Sequence, residues 1–292
     1  MGVSDDWLAR LASGEAPAPV ALMHLAAGAG SRDAVEALLA GRLAAAAEPE
    51  RGRLAAALIL WRANPQAWET VRTVLGGIDH GPSAAGEADA VARLAAAFDR
   101  AARAAPEGSV ALYALGDPDL LRAATGEIVA RLDAWGLLGP GVRVIDLGCG
   151  IGRVAAALAP RVGPVLGLDI APAMIAAARV RCAAHANVAL HLGSGRDLAP
   201  AASGSADLVL AVDAFPYLVQ AGLAEAHLRE AARVLVPGGD LVILNFSYRG
   251  DLARDRADAG RLAAAHGFTV LRDGTSDFTL WDGRSFHLRR RT

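Results

Sequence analysis

The sequence predicts an α/β protein: a mostly parallel sheet with helices on both faces, plus an all-α N-terminal region. Three observations carry this expectation. From about residue 141 onward, short apolar runs of strand type alternate with helical runs. Before about residue 108 no strand pattern occurs, and apolar residues recur at helical spacing. One buried-strand run ends in a glycine-rich loop, VIDLGCGIGR, that opens into a helix.

The helical region can be followed in order. SDDWLARLA begins with Ser4 as a cap and acids in the first turn. APVALMHLAAGAG and SRDAVEALLAGRLAAAA form two helices, separated by Gly28 and Gly30 and restarted by Ser31 as N-cap. ERGRLAAALILWRA is the next helix. NPQAWETVRTVLGG offers Asn64 as N-cap, Pro65 at the first helical position and Gly76 and Gly77 as a stop. EADAVARLAAAFDRAARAA is amphipathic. Residues 76–87 are rich in Gly and Ser and read as a linker, with a second break at Pro106 to Ser109. These breaks divide the chain into a helical region, residues 1–108, and an α/β domain, residues 109–292.

The α/β part alternates from VRVIDLG (strand) and IGRVAAALAPRV (helix) to VLGLDI (strand) and APAMIAAARVRCAAH (helix, with Pro172 near its start). NVALHLG and ADLVLAVDAF are strands. LAEAHLREAARVL is a helix closed by the turn VPGG, and DLVILNF is a strand. DLARDRADAGRLAAAHG is a helix, and FTVLRDG and FTLWDGRSFHLRR are the last two strands. Repeated βα units imply a parallel sheet buried on both faces. The last two strands have no helix between them and should pair antiparallel.

Composition narrows the chemistry. Hydrophobic residues make up 53% of the chain and many are Ala, which favours helices. All 29 basic residues are Arg, so Lys-based chemistry, from Schiff bases to phosphate-loop lysines, is excluded. A net charge of -2 gives no electrostatic footprint for nucleic acid. Cys149 and Cys182 make no disulfide framework, and the seven histidines lack metal-site spacing, so no metal is expected. His24 and His80 are isolated histidines in the helical region. No apolar run reaches the length of a membrane span, the N-terminus has no signal-peptide core, and Asp6 stands where a myristoylation site needs Ser or Thr. The expectation is a cytoplasmic protein without membrane or nucleic-acid partners.

The glycine loop is the most specific signal. Glycines allow a sharp turn and close approach of a ligand to backbone N–H groups. Two details turn the reading away from a dinucleotide. The spacing is GxGxG, with Arg153 where a GxGxxG loop has its third Gly, and Asp146 lies two residues before Gly148. A carboxylate there suits a cationic ligand group better than a pyrophosphate. Asp169 ends the second strand seventeen residues after Gly152, where a carboxylate can accept from two ribose hydroxyls.

VIDLGCGIGR resembles motif I of the class I S-adenosylmethionine-dependent methyltransferases, an acid followed by GxGxG. GLDI with APAMI, LGSGRDLAP, SADLVLAVDAFPYL and LREAARVLVPGGDLVI resemble later segments of that family in the expected order, over about residues 110–290. The resemblance implies a Rossmann-like seven-stranded sheet with its last strand antiparallel. It implies S-adenosylmethionine as cofactor, held by Asp146, Gly148, Cys149, Gly150, Asp169, Ile170, Met174, Ser194, Arg196, Asp197 and Val212. Ser194 replaces an acid usual in the family, so the adenine contact falls to Ser194 or Asp197. Tyr113 matches a tyrosine that closes over the sulfonium in many small-molecule members. Cys149 reads as a small loop residue and Arg153 as a solvated helix residue.

The end of the fourth strand should face the transferred methyl, which makes Asp213 and Tyr217 the catalytic candidates. DAFPY is not the loop used on nucleic-acid bases or glutamine amides, so the acceptor is expected to be a small molecule methylated on O, N or S. NFSYRG brings Asn245, Tyr248 and Arg249 to the same rim, Arg249 being a candidate carboxylate clamp. The helical region is expected to cap the site or to form a homodimer. Two other functions compete with this one: a non-catalytic scaffold and a nicotinamide-dependent oxidoreductase.

Overall fold

A computed structural model describes residues 3–77 and 87–292. The apolar runs that alternate with helices become seven strands: β1 (Val144–Leu147), β2 (Val165–Asp169), β3 (Val188–Leu192), β4 (Ala206–Val212), β5 (Leu235–Leu244), β6 (Phe268–Ser276) and β7 (Arg284–Arg290). They form one sheet in the order β3-β2-β1-β4-β5-β7-β6. β1 to β5 are parallel, and β7 runs antiparallel to both β5 and β6, as the missing helix between the last two strands requires.

The helices are α1 (Val3–Ser13), α2 (Ala18–Gly28), α3 (Arg32–Ala45), α4 (Glu50–Ala63), α5 (Ala67–Gly77), α6 (Glu87–Ala104), α7 (Pro106–Val110), α8 (Pro118–Ala134), α9 (Arg153–Leu158), α10 (Pro172–Arg181), α11 (Phe215–Gln220), α12 (Ala224–Val234) and α13 (Leu252–Ala265). The chain divides into two compact units. The first comprises Met1–Asp79, Arg100–Ala124 and Phe278–Asp282; the second comprises His80–Asp99, Thr125–Asp277 and Gly283–Thr292. The expected boundary at 108/109 falls inside the middle stretch of the first unit. Most of the expected linker, and His80, lie outside the described residues.

The first unit is helical. Its core includes Leu22, Leu25, Leu39, Leu54 and Trp61, all fully buried. Ser31 caps α3 as expected, accepting from the Ala34 amide at 3.1 Å. Asn64 does the opposite of what its position suggested: it terminates α4, its Nδ2 donating to the Leu60 carbonyl at 3.0 Å, and α5 starts only at Ala67. Asn serves both helix ends, because its side chain carries donor and acceptor, so sequence alone did not choose between them. His24 stacks on Trp7 with ring centroids 3.7 Å apart. Burial, reinforced by Arg10, lowers its pKa to about 4.

In the second unit Ile145, Leu168, Val209, Ile243, Phe246 and Phe286 make the core of the sheet. Two expected boundaries shift. VPGG is absorbed into β5 as an irregularity in its pairing with β4, between Ala206 and Leu208. The last strand begins at Arg284, with FTLWDG outside it.

Candidate active site

The strand order reverses between β1 and β4, and in open α/β sheets ligands lie outside the carboxyl ends of strands at such a point. The glycine loop occupies that place. The amides of Gly148 and Cys149 both donate to the Leu168 carbonyl, at 2.8 and 2.9 Å, so the loop folds back over the end of β2. Gly148 has φ +71°, and a Cβ there would stand 2.3 Å from the Ala214 Cβ, so only glycine fits. Gly152, with φ +75°, caps α9 and lies against Ala178 and Cys182. Cys149 is buried, and burial together with the charges of Asp146 and Asp169 pushes its thiol well up, which makes it a loop residue and not a nucleophile.

Two carboxylates flank the loop. Asp146 is only 1% exposed. Burial raises its pKa to about 7; Arg153 and the Ala155 amide oppose the rise and Asp169 adds to it. Its Oδ2 is buried without a hydrogen-bond partner. Arg153, expected in solvent, is buried and donates to the Thr125 hydroxyl at 2.9 Å. Asp169 accepts from the Gly150 amide on Oδ2 and from the Ala171 amide on Oδ1, both at 2.9 Å. An ionised carboxylate has about four acceptor sites, so room remains for a ligand hydroxyl. Burial raises the Asp169 pKa, and its bonds from the amides of Ala171, Gly150 and Ile170 oppose the rise.

Ile170 borders the loop after β3: a Cβ on Gly195 would come within 2.8 Å of its Cγ2. In that loop the Ser194 hydroxyl donates to Asp197 at 2.8 Å and accepts from the Arg196 amide at 3.1 Å. The two candidate adenine contacts therefore bond to each other, while the Arg196 side chain is exposed. α12 fixes the following turn, Glu230 accepting from the Leu198 amide at 3.0 Å. Met174 is buried on α10. The start of α10 is capped from α6, where Asp99 accepts from the Ala173 amide at 2.7 Å, a contact that sequence reading missed.

At the ends of β4 and β5, beyond the paired Val212 and Leu244, stand Asp213 and Asn245. Both are left-handed, with φ +57° and +73°, and the Asn245 Nδ2 donates to Asp213 at 2.8 Å. Tyr217 and Tyr248 meet edge to face, centroids 5.4 Å apart, with their hydroxyls at 3.4 Å. Phe98 of α6 packs edge-on against Tyr217 at 4.9 Å. Arg249 does not wait for a ligand: it bonds Asp255 at 2.6 Å and Asp258 at 2.8 Å. The second unit thus gathers Asp146, the loop, Asp169, Ile170, Met174, Ser194, Arg196, Asp197, Val212, Asp213 and Tyr217. Tyr113 belongs to the first unit, buried and stacked on Trp281 at 5.8 Å.

Residues 144–239, from the glycine-loop strand into the fifth, match the family described as "Methyltransferase domain". Over 151 residues the chain is 34% identical to a demethylmenaquinone methyltransferase of Tropheryma whipplei, covering 52% of this chain and 58% of that protein. Over 117 residues it is 32% identical to a ubiquinone biosynthesis O-methyltransferase of Xanthomonas oryzae pv. oryzae, covering 40% and 46%. The chain therefore spans about half the length of these curated relatives. Among solved structures it resembles phosphoethanolamine N-methyltransferase 1 of Haemonchus contortus, with a TM-score of 0.51 at 17% identity, covering 70% of this chain and 49% of that one. At that identity the likeness shows a shared fold. Among the described residues no helix is long and apolar enough to cross a membrane, and no cluster of three or more His, Cys, Asp or Glu is placed to hold a metal ion.

Proposed function

We propose that the protein transfers a methyl group from S-adenosylmethionine to a small-molecule acceptor. The observation that carries this reading is the pair of carboxylates around the glycine loop, Asp146 with a buried, unpartnered oxygen and Asp169 with one oxygen on Gly150. The residues fit the cofactor's chemistry. Asp146 supplies a negative site for an ammonium or sulfonium, the loop lets the ligand approach backbone, and Asp169 retains acceptor capacity for a ribose hydroxyl. When bound, the cofactor supplies an already activated methyl group, so the protein's task is to position and desolvate the acceptor. Asp213 and Tyr217 face that task, and Ile170, Met174, Ser194, Arg196, Asp197 and Val212 border the adenosine side.

The helical unit carries a homodimer contact. The free thiols of Cys149 and Cys182 agree with a cytoplasmic location.

Calorimetry with S-adenosylhomocysteine tests the core of the proposal. The full chain should bind it, and Asp169→Ala should bind at least about tenfold more weakly, since each hydrogen bond to a charged group contributes about 1.5–3 kcal/mol. Equal affinity of the two proteins would remove Asp169 from the site.

A further inference from the structure

The aromatic cluster beyond β4 and β5 adjoins the glycine loop, because Ala214, next to Asp213, is the residue packed on Gly148. Asp213 sits at its centre. Asn245 donates to one of its oxygens, and the Tyr248 hydroxyl is a further hydrogen-bonding neighbour. Burial, and then the charge of Asp213, raise the Tyr217 pKa, so this phenol stays protonated. The cluster thus pairs one anionic acceptor with neutral donors and sets them among three rings, Phe98, Tyr217 and Tyr248.

We propose that this cluster binds the acceptor, and that the acceptor is a planar ring bearing a hydroxyl. The proposal rests on the methyl-transfer reading above. A hydroxyl both donates and accepts, so it can give its hydrogen to Asp213 while receiving a bond from a tyrosine. An ammonium only donates, so it has no acceptor to offer a tyrosine O–H. Flat rings suit edge-to-face and offset packing on the aromatic side chains. Asn245 is a positioning residue: it touches Asp213 and fixes the carboxylate's direction. Asp and Asn are the non-glycine residues best suited to left-handed backbone, which is what both strand ends adopt here.

The test is calorimetric, on the full chain saturated with S-adenosylhomocysteine. Catechol is the probe; cyclohexane-1,2-diol and benzylamine are the comparisons. Catechol should bind at least about tenfold more tightly than either. Asp213→Asn should weaken catechol about tenfold or more. Asn245→Gly, which glycine's backbone tolerates at φ +73°, should weaken it as well. The double variant should lose little more than Asp213→Asn alone, because Asn245 acts through Asp213. A purely structural role for Asn245 would give additive losses and would overturn its assignment. Tyr248→Phe keeps the ring, removes the hydroxyl and should also weaken catechol, which leaves a readout if an Asp213 variant does not fold. No catechol binding, equal binding of catechol and cyclohexanediol, or tighter binding of benzylamine overturns the acceptor class. If S-adenosylhomocysteine itself does not bind, the methyl-transfer reading fails instead, so the two failures are distinct.

Discussion

Replacing Asp146 by Asn should stabilise the fold at alkaline pH while weakening the cofactor. The side chain keeps its shape and loses its charge. In the folded protein the carboxyl titrates at about 7, against 3.8 for an ordinary aspartate, with burial as the main cause. The sign follows from which state holds the proton. Between pH 3.8 and about 7 the unfolded chain has released a proton that the folded chain retains, so stability falls as pH rises through that window. At 1.36 kcal/mol per pH unit the loss amounts to about 4 kcal/mol. Asn does not titrate. The stability of Asp146→Asn relative to wild type should therefore grow by about 4 kcal/mol between pH 4 and pH 8. Hydrogen exchange of the β1 amides at several pH values measures this locally, without requiring that the two units unfold together. Parallel pH profiles for the two proteins would refute the reasoning, since they would mean that Asp146 ionises as easily in the fold as in water. The opposite movement of affinity is the second half of the expectation: S-adenosylhomocysteine should bind Asp146→Asn less tightly, marking a charge kept for binding at the expense of stability.

His24 should make the helical unit acid-sensitive. Its folded pKa of about 4 lies below the ordinary 6.5, so its contribution is present above 6.5 and is lost as pH falls towards 4. Partial exposure of the ring limits the effect to about 1–2 kcal/mol. Helical-unit stability in His24→Gln, followed by urea denaturation, should lose this pH dependence. Gly148→Ala should destabilise the second unit by about 1–3 kcal/mol, through its left-handed backbone and the close Ala214, and should abolish cofactor binding in the same titration. A chain starting at residue 87 should bind S-adenosylhomocysteine more tightly, and melt higher, than one starting at residue 109, because only the former keeps Asp99 on α10 and Phe98 on Tyr217. Equal melting temperatures would show that α6 adds nothing to the sheet.

Much of this arrangement is legible in the sequence because it is local. Strands such as β4 carry continuous apolar runs, LVLAV in that case, and the loop's glycines stand at the positions whose left-handed backbone demands them. What escaped notice is contact between distant residues. Arg153 reads as a surface residue until Asp146 and Thr125 are seen around it. Asp213 and Asn245 lie 32 residues apart, and no periodicity announces that two strand ends meet through their side chains. Arg249 looked available because its partners, Asp255 and Asp258, sit on the next helix. The compact units also interleave along the chain, with α6 residues up to Asp99 in one and those from Arg100 in the other. A reading that cuts the sequence once does not recover such a division.

The single hydrogen bond from Gly150 to Asp169 has a thermodynamic consequence. On the function proposed above, one carboxylate belongs both to the surface offered to a ribose and to the scaffold of the loop offered to the amino-acid end of the ligand. Any hydroxyl that settles on Asp169 orders the carboxylate, and through it the Gly150 backbone. The two ends of a nucleoside–amino-acid ligand then cooperate: occupation of one lowers the entropy still to be lost by the other. Fragments bound separately, adenosine and homocysteine, would each strengthen the other's binding, although neither touches it.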